Sequence, residues 1–130
     1  MHKKLLVGIL CSFLMASSLP AFAKCDGGET VTGVLNGHAY CKSQSMMTWW
    51  AAFAWCKYQN RELVTLSEAC IDWRGATGAN ACPNLMVDKD QYVWTANPQG
   101  SNSAFLIEFT SGYVGLKHLR SYDGIYALCY

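Results

Sequence analysis

The side chains in this sequence best suited to chemistry are its cysteines. There are seven: Cys11 lies in an apolar run near the start, and Cys25, Cys41, Cys56, Cys70, Cys82 and Cys129 are spread over the rest. A cysteine sulfur can hold zinc, act as a nucleophile or pair with another sulfur. Zinc sites are built from close pairs such as C-x-x-C, and no such pair occurs. A nucleophilic thiol needs a base beside it. His118 could be cast in that role, but if Cys11 leaves with the leading segment, the six remaining cysteines can all pair and leave no free thiol for it to activate. His2 belongs to the leading segment, and His38 stands beside a turn signal, where exposure is expected. Asp88 and Asp90 in "VDKD" could be read as a metal pair, yet acids flanking a lysine in a loop read first as a solvated turn. No G-x-S-x-G, H-E-x-x-H or phosphate-cradling glycine loop is present. The expectation is no enzyme, no catalytic residue, no metal and no cofactor. Paired sulfurs remain, with the pairing left open among all the combinations that an even set permits.

Compartment agrees with that reading. The chain starts with His2, Lys3 and Lys4, continues apolar from Leu5 to about Leu14, and reaches Pro20 and the small-residue ending Ala21-Phe22-Ala23. This is the three-part pattern of a Sec signal peptide over residues 1–23, cleaved after Ala23. Its apolar run falls short of the ~20 residues that span a bilayer, and bulky Leu10 before Cys11 argues against lipidation there. No later segment has the length and apolarity of a membrane span. Residues 24–130 then form one domain, secreted, periplasmic or at the cell surface, where disulfides persist. Loss of Lys3 and Lys4 takes the formal charge of +1 to slightly negative. No basic patch is left for nucleic acid.

The elements that must position these sulfurs can be read from turn chemistry and apolar period. In "TVTGVLNGHAYC", Asn36-Gly37 separates two short runs of strand formers, the strongest two-residue hairpin signal. An N-terminal hairpin follows, with Cys25 and Cys41 placed to tie its ends. In "TWWAAFAWC", Trp49, Ala52, Phe53 and Cys56 recur at helical spacing and share one face. Thr48 or Ser45 can cap the start, Lys57 suits the negative end of the dipole, and Asn60 can take the left-handed conformation that stops the helix. A helix of roughly a dozen residues is predicted. "ELVTL" (Glu62 to Leu66) reads as a strand, and Ser67 as the cap of a short helical turn containing Cys70 and Trp73. "RGATGANACPN" is a loop. Strands are expected at "QYVWTA" (Gln91 to Ala96), "AFLIEF" (Ala104 to Phe109) and "GIYALC" (Gly124 to Cys129), with one more around Tyr113 to Leu116.

Trp49-x-x-Ala52-x-x-x-Cys56, followed by Leu63 seven positions after the cysteine and by "LVTL", resembles the first helix and second strand of a C-type lectin-like domain. The closing "YALCY" is similar to that family's last strand, and the resemblance covers nearly all of residues 24–130. Asn60 stands where the family usually has glycine, the other residue that tolerates a positive φ. The resemblance implies an α+β fold: an N-terminal hairpin, one main helix plus a short second helix, and a small mostly antiparallel sheet with three disulfides. It implies that Cys56 pairs with Cys129 and, by position, Cys25 with Cys41. Cys70 and Cys82 are left to each other, a departure from the family's usual bridge into the sheet.

The family's calcium-dependent sugar site uses a Glu-Pro-Asn or Gln-Pro-Asp tripeptide and a Trp-Asn-Asp triplet, because calcium takes about six to eight oxygen ligands. Here the corresponding tripeptide is Asn97-Pro98-Gln99, without a carboxylate, and the strand that should carry the triplet reads "AFLIEF", with Glu108 as its one acid. The loop between Ala96 and Ala104 is also too short for the family's second lobe. Calcium-independent recognition is therefore expected. Trp49 and Phe53 share the face of Cys56 and belong to the core, whereas one of Trp50 and Trp55 is free to be exposed. The expected contacts lie on two polar loops: Asn97, Gln99, Ser101 and Asn102 in the first, with Arg120, Tyr122 and Asp123 in the second. The implied partner is an extracellular protein or glycan. The alternative is a structural or assembly component of an exported bacterial surface complex with no diffusible ligand.

Overall fold

Residues 22–32, 39–70, 73–82, 91–108, 111–117 and 120–130 are described by the computed structural model. The predicted leader up to residue 21, the Asn36-Gly37 turn, His38, Asp88, Asp90, Phe109 and His118 lie outside them.

The N-terminal hairpin forms from β1 (Gly28–Thr32) and β2 (Ala39–Met47), antiparallel with Thr30 opposite Cys41. Cys25 is bonded to Cys41, tying the hairpin at its open end. Close packing demands glycine at the start of β1: a Cβ on Gly28 would lie 2.5 Å from the Lys42 carbonyl and 2.9 Å from the Trp55 ring.

The helix α1 (Trp49–Tyr58) is bounded as its residue types predict. Thr48 is the cap in place of Ser45, its hydroxyl accepting the Ala51 N–H at 3.1 Å. At the other end Asn60 takes φ 54°. The Asn60 N–H donates to the Lys57 carbonyl and the Arg61 N–H to that of Cys56, the paired bonds of a Schellman stop. Trp49, Ala52 and Cys56 are buried on the inward face, while Phe53 is only half-buried and packs edge-on against Trp49.

The remaining strands are β3 (Tyr92–Gln99), β4 (Ser103–Glu108), β5 (Tyr113–Lys117) and β6 (Ile125–Cys129). They join the hairpin in one mixed sheet of order β1-β2-β6-β3-β4-β5. Every pairing is antiparallel except β3 with β6, where Trp94 lies beside Ala127. The last strand in sequence is therefore central in space. It places Cys129 opposite Cys41 of β2 and beneath α1, where it is bonded to Cys56.

Two local readings are corrected. "ELVTL" is no strand of the sheet: Leu63 makes an isolated bridge to Cys129, and the segment inserts as a single extended rung. Val64 donates to the Leu128 carbonyl and accepts from the Ala96 N–H, so it fills the gap where β3 and β6 diverge. Leu66 already belongs to α2 (Leu66–Ala69), and the cap of that helix is Thr65, not Ser67. The Thr65 hydroxyl accepts the Glu68 N–H at 3.2 Å, while Ser67 lies inside the first turn. Cys70 follows as the C-cap, and Trp73 lies beyond the helix.

The sheet is covered on both faces. One face packs under α1, with Trp49, Trp94, Leu106, Ile125 and the Cys56–Cys129 cystine in one buried cluster. The other packs under α2 and the loop closed by Cys70–Cys82, around Val64, Leu66, Val93, Ile107 and Val114. That loop is fastened to the sheet edge by a Gly78–Val114 bridge and by the Cys82 N–H on the Gly112 carbonyl. Gly112 is required there: its φ is 62°, and a Cβ would lie 2.2 Å from the Cys82 carbonyl oxygen.

Two charged side chains, Lys42 and Glu108, are buried among the described residues, each with partners. Lys42 Nζ lies 3.3 Å from Glu29 Oε1, donates to the Ser43 carbonyl at 2.9 Å and sits 4.0 Å from the centre of the Tyr126 ring. Glu108 accepts from the backbone N–H and the hydroxyl of Ser111, closing the turn after β4. Three disulfides fit an oxidising extracellular or periplasmic environment. Among the described residues, no helix is long and apolar enough to cross a membrane.

Candidate functional site

The site begins with a turn. Gly100, Ser101 and Asn102 connect Gln99 of β3 to its register partner Ser103 of β4, with Gly100 at φ 62°. β3 runs on through Pro98 to Gln99, so the polar loop expected over residues 97–102 is reduced to these three residues. Pro98, which has no N–H to give, stands opposite Ala104 just past the point where the β3–β4 register shifts.

Arg120 clamps that turn to α1. Its backbone N–H donates to the Asn102 carbonyl at 2.9 Å, and its own carbonyl accepts the Trp49 N–H at 3.0 Å. Its side chain donates from Nε to the Ser103 carbonyl at 3.0 Å and from Nη2 to the Gly100 carbonyl at 2.6 Å. The guanidinium lies 4.5 Å from the centre of the Trp49 ring and 5.6 Å from that of Trp50. A planar cation on two indoles, with a fork of hydrogen bonds, is held in one orientation in a way that a lysine could not match. Among the described residues no carboxylate lies within ion-pairing distance of it.

The two indoles are anchored differently. Trp49 is buried and donates its Nε1–H to the Thr95 carbonyl at 2.8 Å. Trp50 is 61% exposed and packs edge-on against Trp49, with ring centres 4.7 Å apart. Together with Ser101, Asn102, Arg120 and Ser121, Trp50 lines a cleft of about 200 Å³. Its lining combines an indole, a residue bearing a guanidinium, an amide and two hydroxyl residues.

A second cleft, of about 160 Å³, is lined by Tyr92, Leu106, Lys117, Tyr122, Gly124 and Ile125. Leu106 and Ile125 belong to the buried cluster under α1, so this cleft opens on the same side of the sheet. Lys117 Nζ sits 3.8 Å from the centre of the Tyr122 ring. Gly124 makes room for that phenol, since a Cβ there would lie 2.5 Å from the Tyr122 hydroxyl. The segment Arg120–Gly124 contributes to both clefts and runs between them.

The expected contact residues thus divide. Ser101, Asn102 and Arg120 meet in the first cleft, and Tyr122 lies in the second. Asn97 is committed to the fold: its Oδ1 accepts the Leu66 N–H at 2.8 Å, satisfying a donor in the first turn of α2. Gln99 and Asp123 are exposed and line neither cleft. Sequence reasoning missed Ser121, Lys117 and Tyr92, and left Trp50 and Trp55 undivided. The deciding contact for Trp55 is a distant one: its ring lies against Gly28 at the start of β1 and is half-buried there. Among the described residues no group of three or more His, Cys, Asp or Glu is placed to hold a metal ion. Compared with protein-family models and with curated proteins, the chain matches none.

Proposed function

We propose that the chain is an exported C-type lectin-like binding module that recognises an extracellular protein or glycan, without calcium, through the cleft of Trp50, Ser101, Asn102, Arg120 and Ser121. The observation that carries this reading is the fixed pairing of an exposed indole with a guanidinium that has no carboxylate partner among the described residues. An exposed tryptophan on a rigid base is a typical anchor of recognition sites, because it offers a large contact area at small entropic cost. The lectin-like frame is supported by a main helix bonded through Cys56 to the last strand, and by that strand's central place in the sheet.

Saturable binding on a combined glycan and protein array tests the reading. Binding is expected to persist in chelator and to weaken on Trp50→Ala or Asn102→Ala in a protein that still unfolds near the wild-type denaturant midpoint. The alternative, an assembly component of a surface complex, calls for an apolar patch around the exposed aromatic. The groups around Trp50 are instead a cation, an amide and two hydroxyls. Self-association that survives Trp50→Ala and Asn102→Ala, with no saturable ligand, would favour the assembly role.

A further inference from the structure

Resting on that reading, we infer that the two clefts form one continuous binding surface for an acidic oligosaccharide, sugar rings lying on Trp50 and Tyr122 and carboxylates meeting Arg120 and Lys117.

The same chemistry occurs twice on one side of the sheet. Each cleft sets a partly exposed aromatic ring against a cation: the Arg120 guanidinium lies 5.6 Å from the centre of Trp50, and the Lys117 ammonium lies over one face of Tyr122 at 3.8 Å, which leaves the rest of that ring for a ligand. Neither cation has an ion-pair partner among the described residues. Arg120 spends Nε and Nη2 on backbone carbonyls, which fixes the guanidinium and leaves the other N–H groups of its five to point elsewhere. The clefts share no lining residue but draw on consecutive ones, Arg120 and Ser121 in the first and Tyr122 and Gly124 in the second, which sets them side by side for one extended ligand.

Size and wall chemistry select the ligand class. At about 200 and 160 Å³, each cleft is smaller than the ~300–1,000 Å³ of pockets that enclose a drug-sized molecule. Each therefore takes a single ring, and affinity has to come from engaging both at once. A pyranose carries an apolar C–H face for the aromatic wall, hydroxyls for Ser101, Asn102 and Ser121, and, in an acidic sugar, a carboxylate for the cation. The carboxylate of an aspartate or glutamate side chain would meet the cation but leave the aromatic face uncovered. A neutral sugar would cover that face and leave the charge unmet.

The test is calorimetric titration of the disulfide-intact protein with tetrasaccharides of uronic acids and with sialylated oligosaccharides. Their carboxyl-reduced counterparts and polyglutamate serve as controls. At least one acidic sugar is expected to bind saturably, in chelator, on the order of tenfold more tightly than its reduced form, as befits a lost hydrogen bond to a charged group. Lys117→Gln is expected to cost several-fold and Trp50→Ala on the order of tenfold, with the tetrasaccharide's advantage over a disaccharide lost in Tyr122→Ala. Arg120→Gln also removes the clamp on the turn, so Lys117→Gln carries the charge test in a fold left intact. Equal binding of acidic and reduced sugars, abolished by Trp50→Ala, overturns this inference and leaves the binding-module reading standing. Polyglutamate binding as tightly as the sugars overturns it in favour of an acidic peptide. No saturable ligand on the wider array overturns both.

Discussion

The inward face of α1 and its outward, loop-facing end put the same residue type to opposite uses. Trp49 is 5% exposed, hydrogen-bonded to Thr95 across the interface and packed with the Cys56–Cys129 cystine into one core. Trp50 is 61% exposed and rests on Trp49 and Arg120. One step along a helix turns a side chain by ~100°, enough to move an indole from the sheet to solvent. The inward face supplies rigidity, and that rigidity is what lets the outward indole and the guanidinium hold a fixed geometry. The proposed recognition role and stability would therefore separate by residue, although they share a helix and even a ring–ring contact.

The separation can be broken by experiment, beginning with the strongest expected effect. Replacing Cys56 and Cys129 together with serine opens a loop of sequence separation 73. On chain-entropy grounds it should cost about 4 to 5 kcal/mol, read as a lower denaturant midpoint. Trp49→Ala should cost about 4 kcal/mol through the cavity and the orphaned Thr95 carbonyl, and should weaken ligand binding by loosening Arg120. Thr48→Ala removes the cap of α1 and should lower stability by about 1 kcal/mol, with little change in binding. Trp50→Ala should change stability by no more than ~1 kcal/mol, the size of its edge-on contact with Trp49, while its main cost appears in affinity. A Trp50→Ala protein that unfolds as readily as Trp49→Ala would erase the distinction between the two faces.

Much of the scaffold was legible because its signals are local. The cap at Thr48 and the left-handed stop at Asn60 depend on hydrogen bonds between residues close in sequence, Ala51 to Thr48, Asn60 to Lys57 and Arg61 to Cys56, and the apolar period of α1 names its buried face. The short second helix shows the limit of such reading. Thr65 and Ser67 are both competent caps, and the choice fell to Thr65 because the rung at Val64 fixes where the extended segment must end. "ELVTL" has the composition of a strand, yet it meets the sheet only through the Leu63–Cys129 bridge and the flanking backbone bonds of Glu62 and Val64, before Leu66 starts α2. The two polar loops were the least legible. Asn97 and Gln99 looked like loop residues beside Pro98, but the shifted β3–β4 register carries the strand through them and turns Asn97 toward α2.

The sequence by itself determined the α+β character, the N-terminal hairpin and the ends of the main helix. Each of these is written in residue types a few positions apart. Only the tertiary structure decided that residues 50, 101 and 120 share a cleft, that residues 117 and 122 sit in another beside it, and that Asn97 serves the fold. Those meetings join segments separated by up to seventy positions, brought together by the central placement of β6 and the bonds of Arg120. No local pattern encodes a contact whose two halves are held in place by different elements.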